Sequence, residues 1–243
     1  MSIDFVIEFR FNCNSVILTD MKSRLKTMTA PLVNTFSLCA RDPENGDLGV
    51  VVASKYLAVG AVVPYARAGV GAVATQSSCN VSYGPDGLGL MEKGNCPEMV
   101  IKEVTGNDEN RETRQVGMVD ARGESFSFTG KKAHDWKGHI NEEDIACQGN
   151  LLAGEKVISD MVKAFKATKG DLSDQLMAAL IAGDKAGGDK RGRQSAAILV
   201  AREKGGPGGL NDRYLDLRVD EHKEAPAELM RVFGFWKEHW KRR

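Results

Sequence analysis

What this sequence lacks narrows its function before any motif is considered. It carries no surplus of one charge, with 33 Lys+Arg against 33 Asp+Glu, so it has no overall basic footprint for nucleic acid or an anionic membrane. It has no apolar run near the roughly 18–20 residues that a membrane-spanning helix needs. Its first residues lack the basic-then-apolar layout of a secretory signal, and a cytoplasmic protein is expected. The five cysteines, Cys13, Cys39, Cys79, Cys96 and Cys147, form no CxxC pair. They read as free thiols in a reducing compartment, not as a disulfide framework or a zinc site. The four histidines contain no HExxH, and His134 and His139 stand five apart in a loop-like stretch. No metal and no other cofactor is expected. The glycines of AGGDKRGRQ, residues 186–194, do not match GxxxxGK[ST], which argues against a nucleotide phosphate loop.

What is present fits one sizeable domain. A chain of 243 residues, 42% hydrophobic and 27% charged, is long enough to bury a proper core. Residues 1–34 stand apart as an N-terminal extension. Ile3, Phe5, Ile7, Phe9 and Phe11 alternate with polar residues in strand periodicity, followed by the basic stretch Met21–Lys26. This is either an added edge strand and arm or a segment ahead of the true start, with Met21 and Met28 available as later starts. The domain proper spans residues 35–243.

From Thr35 the pattern is regular. Phe36, Leu38 and Ala40 share one strand face, Asp42-Pro43-Glu44-Asn45-Gly46 makes a turn, and Leu48–Ala53 returns as an apolar strand covered on both faces. Leu57–Val63 and Gly69–Thr75 repeat this small, apolar character and read as two more strands. Ser78–Gly87 reads as turns, Leu88–Lys93 and Pro97–Thr105 as helices, and Asn107–Thr113 as a loop. A hairpin is expected over Gln115–Asp120 and Glu124–Thr129, and an ordered loop over Lys131–Asn150. The stripe Val157, Ile158, Met161, Val162 and Phe165 marks a helix, and Ser173 is the expected cap of the next, which carries Leu176, Met177, Leu180 and Ile181. Strands Ser195–Ala201 and Tyr214–Val219 follow, then a closing helix with Ala227, Leu229, Met230, Phe233, Trp236 and Trp240. Strands gathered in blocks, with helices gathered between them, exclude an alternating βαβ pattern. The expected fold is α+β: a four-layer αββα sandwich of two antiparallel sheets flanked by helices.

Specific runs then match a known pattern: T35-F-S-L-x-A-R-D-P, A53-S-K, V59-G-x-V-V-P, R67-A-G-V-G-A-V-A-T-Q76, N80-x-S-Y-G-P85, Q148-G-N-L-L-A-G154 and G187-G-D-x-R-G-R-Q-S-A-A197. Together they resemble the family known as domain of unknown function 1028, over about Thr35 to Val219. That family is similar to the N-terminal-nucleophile hydrolases, whose fold is the αββα sandwich. The resemblance implies an amide-bond hydrolase in which a strand-initial Thr, Ser or Cys uses its own free α-amine as base. Such an amine, with a pKa near 8, can take the hydroxyl proton at neutral pH.

Thr35 is the candidate nucleophile. It follows Asn34, so its amine is free only after cleavage at Asn34–Thr35; the competing reading is an ordinary strand-forming threonine. Lys55 is the second catalytic candidate, lowering the pKa of that amine or holding an oxyanion, against a solvated strand-end lysine. Ser54, Thr75, Gln76, Ser77, Asn80 and Tyr83 form polar strand ends and a turn that can bind a substrate carbonyl or carboxylate. Gln148 and Asn150, with Asp189, Arg191 and Gln194, complete the substrate-binding candidates. Asp189 with Arg191 and Arg193 can clamp a carboxylate, or tie its own Gly-rich loop together by a salt bridge. Cys79 and Cys147 read as structural. The expected function is hydrolysis of a small amide or peptide-like substrate by a homo-oligomer; the alternative is a ligand-binding or assembly protein that keeps the fold without the chemistry.

Overall fold

A computed structural model describes residues 32–241, which lie within one compact unit. The expected N-terminal strand, the basic stretch and the later start sites fall outside these residues, and so does the side chain of Trp240. Eleven strands and five α-helices are present among them. One sheet contains β1 (Leu32–Val33), β4 (Pro64–Arg67), β5 (Gly71–Ser78), β6 (Arg114–Asp120) and β7 (Ser125–Thr129), in the order β1-β5-β6-β7, with β4 also paired to β5. The other has the order β11 (Arg213–Val219), β10 (Ser195–Ala201), β3 (Leu48–Ser54), β2 (Thr35–Arg41), β9 (Ile145–Gly149), β8 (Gly138–Glu142). Every pairing is antiparallel.

Alternation along each strand divides the molecule into layers. On β2, Phe36, Leu38 and Ala40 join Ile198, Met161, Leu176 and Leu229 in a core between the second sheet and α3 (Lys156–Ala167), α4 (Leu172–Lys185) and α5 (Ala225–Lys241). The odd residue Cys39 joins Val50, Val52, Ala72, Ala74, Val119 and Ala146 in the seam between the sheets. On the far side, Val73, Val116 and Met118 pack against α1 (Tyr83–Glu92) and α2 (Pro97–Gly106) through Tyr83, Leu88, Val100 and Ile101. Helices, sheet, sheet and helices make the four-layer αββα sandwich expected from the sequence. The closing helix buries Leu229 and Phe233, and Trp236 meets the Tyr214 ring edge-on at 5.2 Å.

The differences from the sequence expectation have local causes. Leu57–Val63 is not a strand: Ala58 turns left-handed at φ 53°, and a 3-10 turn runs over Val59–Ala61. Val59 and Val63 are buried outside any strand, Leu57 is exposed, and Gly60 lies so close to the Ala197 side chain that a Cβ would sit 2.6 Å from it. The Lys131–Asn150 segment is not a loop but holds β8 and β9, joined at Glu143-Asp144 with Asp144 at φ 64°. No Asn-Gly or Gly-Gly pair signals that turn, and Asn141 and Gln148 put polar side chains on the seam side beside Ala146. Helix α1 starts at Tyr83, within the expected turn region, because Pro85 suits a first turn and Gly84 lets the helix lie on the Tyr65 ring. Asp171, not Ser173, caps α4, its carboxylate accepting from the backbone of Ser173 and Asp174.

Candidate functional site

One end of the seam between the sheets is polar, and alternation explains which residues meet there. Thr35 and Ser37 continue the Cys39 face of β2, Gln76 continues the Ala72–Ala74 face of β5, Gln115 and Gly117 the Val119 face of β6, and Gln148 the Ala146 face of β9. All are buried. Ser37 Oγ donates to Gln76 Oε1 at 2.7 Å and accepts from Gln148 Nε2 at 2.7 Å. Gln115 is the hub: its Oε1 accepts from Gln76 Nε2 at 2.8 Å and Asn150 Nδ2 at 2.9 Å, and its Nε2 donates to the Gly149 carbonyl at 2.9 Å and to Thr129 Oγ1 at 2.9 Å. Gly117 makes room for this layer, since a Cβ there would lie 1.8 Å from Gln148 Oε1.

The network holds the backbone of Thr35. Its carbonyl accepts from Asn150 N at 3.0 Å and from Gln76 Nε2 at 3.3 Å. Its hydroxyl donates to the Val33 carbonyl at 2.9 Å. Thr35 pairs with Ser54 across the β2–β3 ladder, while Val33 pairs with Ser77 across β1–β5. The Asn34 carbonyl therefore faces Ser54, whose Oγ donates to it at 2.6 Å, and Arg191, whose Nη2 donates to it at 3.1 Å. Arg191 is itself held by Asp189, with Nε to Oδ1 at 3.1 Å and Nη2 to Oδ2 at 2.7 Å. The same Oδ2 accepts from the backbone N–H of Lys55 at 3.0 Å. Two donors on one peptide oxygen, one of them charged, form the kind of arrangement that stabilises a developing oxyanion. A cavity of about 220 Å³ adjoins this point, lined by Phe36, Ser54, Asp189, Lys190, Arg193 and Pro226 among others.

Ser54, Gln76, Asn150 and Arg191 thus bond the carbonyls on either side of the Asn34–Thr35 bond, with Asp189 holding Arg191; the Gln148 side chain reaches Ser37 and Ser127 instead, and Ser77 pairs with Val33. Ser77 carries left-handed backbone at φ 68°, uncommon for a residue with a side chain. The Lys55 side chain is exposed, its Nζ donating to the Arg193 carbonyl at 3.3 Å. Gln194 ties in by its backbone, donating to the Ser54 carbonyl at 3.0 Å and accepting from His222 N at 2.7 Å. Arg193 pairs with Asp184, not with Asp189.

Asn80 and Tyr83 belong to a different cluster. Tyr83 Oη and Asn80 Nδ2 donate to Asp108 Oδ2 at 2.8 and 3.1 Å, and Arg114 Nε donates to it at 2.8 Å. Burial alone would raise the Asp108 pKa, but these donors outweigh it and bring it to about 2. Thr75 Oγ1 donates to the Asn80 carbonyl at 3.0 Å, closing the turn ahead of α1. A separate cleft of about 770 Å³ opens beside this cluster, between α1 and α2.

Sequence reasoning passed over Ser37, Gln115 and Asn34. A signal for the first two was present: polar residues at odd positions of otherwise buried strands have to find partners in the seam. Burial pushes up the thiols of Cys39 and Cys147, and raises that of Cys79 to about 11. Among the described residues no group of three or more His, Cys, Asp or Glu side chains is placed to hold a metal ion, and no helix is long and apolar enough to cross a membrane.

These layers and this polar seam define the class: an α+β protein built as a four-layer sandwich of two antiparallel sheets, with the start of a central strand at its polar end. The chain belongs to the family of unknown function DUF1028, whose model matches residues 35–229. It is similar to protein SPO2555 from Silicibacter pomeroyi, solved as a DUF1028 protein, with 32% identity and a TM-score of 0.76 over 83% of this chain and 85% of that one. Anbu (ancestral beta-subunit) from Yersinia bercovieri also matches, at 12% identity and a TM-score of 0.36 over 85% of this chain and 94% of that one, too low a score to carry an argument. No curated protein matches the chain.

Proposed function

We propose that the protein is a hydrolase of small amides or peptide-like substrates, with Thr35 as nucleophile once the Asn34–Thr35 bond is cut. The observation that carries this reading is the oxygen of that one peptide bond, on the residue just before Thr35, held between Ser54 Oγ and Arg191 Nη2. In the uncut chain Thr35 has no base among the described residues: its proton goes to the Val33 carbonyl. Cleavage supplies one, because the new α-amine lies within reach of its own hydroxyl and titrates near pH 8. The hydroxyl then attacks a substrate carbonyl, the amine takes its proton, and Ser54 and Arg191 receive the developing oxyanion. Gln76 and Asn150 keep the Thr35 backbone in register while this happens. The family match that starts at residue 35 is consistent with a functional unit headed by this threonine. The adjoining cavity is of a size for a small acyl group.

Intact mass and N-terminal sequence of the purified protein, followed by turnover of a small-amide panel, test the reading. A chain beginning at Thr35 that hydrolyses an amide, with activity lost in Thr35→Ala, is the expected result. A chain that keeps residues 1–34 and turns over nothing overturns it. A ligand that raises the melting temperature without being consumed would assign the site to binding instead.

A further inference from the structure

Asn34 presents a second anomaly at the same bond. Its side chain is buried, with the residue 1% exposed, yet neither Oδ1 nor Nδ2 has a hydrogen-bond partner among the described residues. Buried amides are almost always paired, because each unmade bond costs stability that burial does not return. Ser77 Oγ and Asn150 Oδ1 are unpaired in the same way. The Asn34 Nδ2 therefore has no partner among the described residues to give up in turning toward its own carbonyl carbon, whose oxygen is bonded twice. The covalent geometry allows that approach, since a bond from Nδ2 to the carbonyl carbon of the same residue closes a five-membered ring.

We propose that Asn34 cuts its own peptide bond, so that the side-chain amide, not the Thr35 hydroxyl, releases the Thr35 amine. This rests on the reading that Thr35 acts after release. Nδ2 attacks the Asn34 carbonyl carbon and the Nδ2–C bond forms. The electron pair moves to the carbonyl oxygen, where Ser54 Oγ and Arg191 Nη2 hold it. The tetrahedral centre collapses, the C–N bond to Thr35 breaks, and the Thr35 nitrogen takes the proton that Nδ2 gives up. The products are a 1–34 segment ending in a cyclic imide and a chain starting with a free Thr35 amine. Water later opens the ring to asparagine or isoasparagine. No oxidant, reductant or metal enters the balance. The Thr35 hydroxyl is the competing nucleophile, but its proton is committed to the Val33 carbonyl, and no acidic, basic or histidine side chain among the described residues bonds to it. Asp189 holds the Arg191 guanidinium at that oxygen through both carboxylate oxygens.

The test is a time course of intact mass for the full chain and for Asn34→Ala, Thr35→Ala and Ser54→Ala. The wild type and Thr35→Ala are expected to release the segment, and the freshly released segment is expected to be one water lighter than a hydrolysed peptide. Asn34→Ala is expected to stay whole, and Ser54→Ala to slow by about a hundredfold, the scale of losing one oxyanion donor. The segment mass reports on the unaltered protein, so a variant that misfolds does not spoil the answer. If Asn34→Ala still cuts while Thr35→Ala does not, the hydroxyl is the nucleophile: the inference fails and the released threonine stands. A wild type that stays whole from residue 1 removes both.

Discussion

Replacing Gln115 by leucine tests the polar seam most directly, because the side chains are close in volume and no large cavity is created. The amide of Asn150 loses the partner of its Nδ2, and since its Oδ1 has none, the whole buried amide is then unpaired. Gln76 Nε2 loses its shortest acceptor at 2.8 Å and keeps only contacts of 3.3 and 3.5 Å. The Gly149 carbonyl and Thr129 hydroxyl lose a donor. At about 1–3 kcal/mol for each buried group left unsatisfied, two such groups cost about 4 kcal/mol, and the added apolar contact of leucine returns about 1. Urea unfolding followed by circular dichroism should therefore show a loss of about 3 kcal/mol, a midpoint lower by about 1–1.5 M with an unchanged slope. A loss under about 1 kcal/mol would refute the view that Gln115 is the hub on which Asn150 and Gln76 depend.

Two further outcomes follow from the cysteines and from Asp108. Because the folded pKa of Asp108 lies near 2, below its ordinary 3.8, its contribution is fully present above about pH 4 and is lost as pH falls toward 2. Thermal unfolding across that window should show about 2 kcal/mol of acid loss that Asp108→Asn removes, and an unchanged acid limb in the variant would contradict the assignment. Native alkylation with peptide mapping should label Cys96, which is partly exposed, while Cys39, Cys79 and Cys147 are spared by burial and raised thiol pKa values. Rapid labelling of Cys147 in folded protein would place the seam and its neighbouring core in a different arrangement.

Much of the architecture was legible in the sequence because it rests on periodicity. The turn at Asp42–Gly46, strands β2, β3, β6, β10 and β11 and the stripe of α3 all carry their pattern within a few residues. The missed strands show where that signal fails. In β8 and β9 the seam-side residues Asn141 and Gln148 are polar, so alternation does not mark a strand, although Ser127 and Ser37 satisfy them. At Leu57–Val63 the reverse happened: Val59 and Val63 are buried outside any strand while Leu57 is exposed, and nothing local tells burial against a sheet from membership in it. The site was legible in part for the same reason. Ser54, Gln76, Gln148 and Asn150 stand at polar strand ends, whereas the roles of Asn34 and Arg191 depend on a carbonyl that meets residues 20 and 157 positions away. Asn80 and Tyr83 looked equivalent to those residues in sequence, yet the α1 turn directs them to Asp108.

The close fit of Gly117 to Gln148 has a consequence for how this family can vary. The two positions occupy one space, since any side chain at 117 would stand where the Gln148 amide lies. A relative that carries alanine or serine at the position of Gly117 should carry a shorter residue at the position of Gln148, and the Ser37 and Gln76 positions should change with it, because both bond through that amide layer. Four residues on four strands would then be inherited as a single character, and a census of family sequences can read that coupling without a protein being purified.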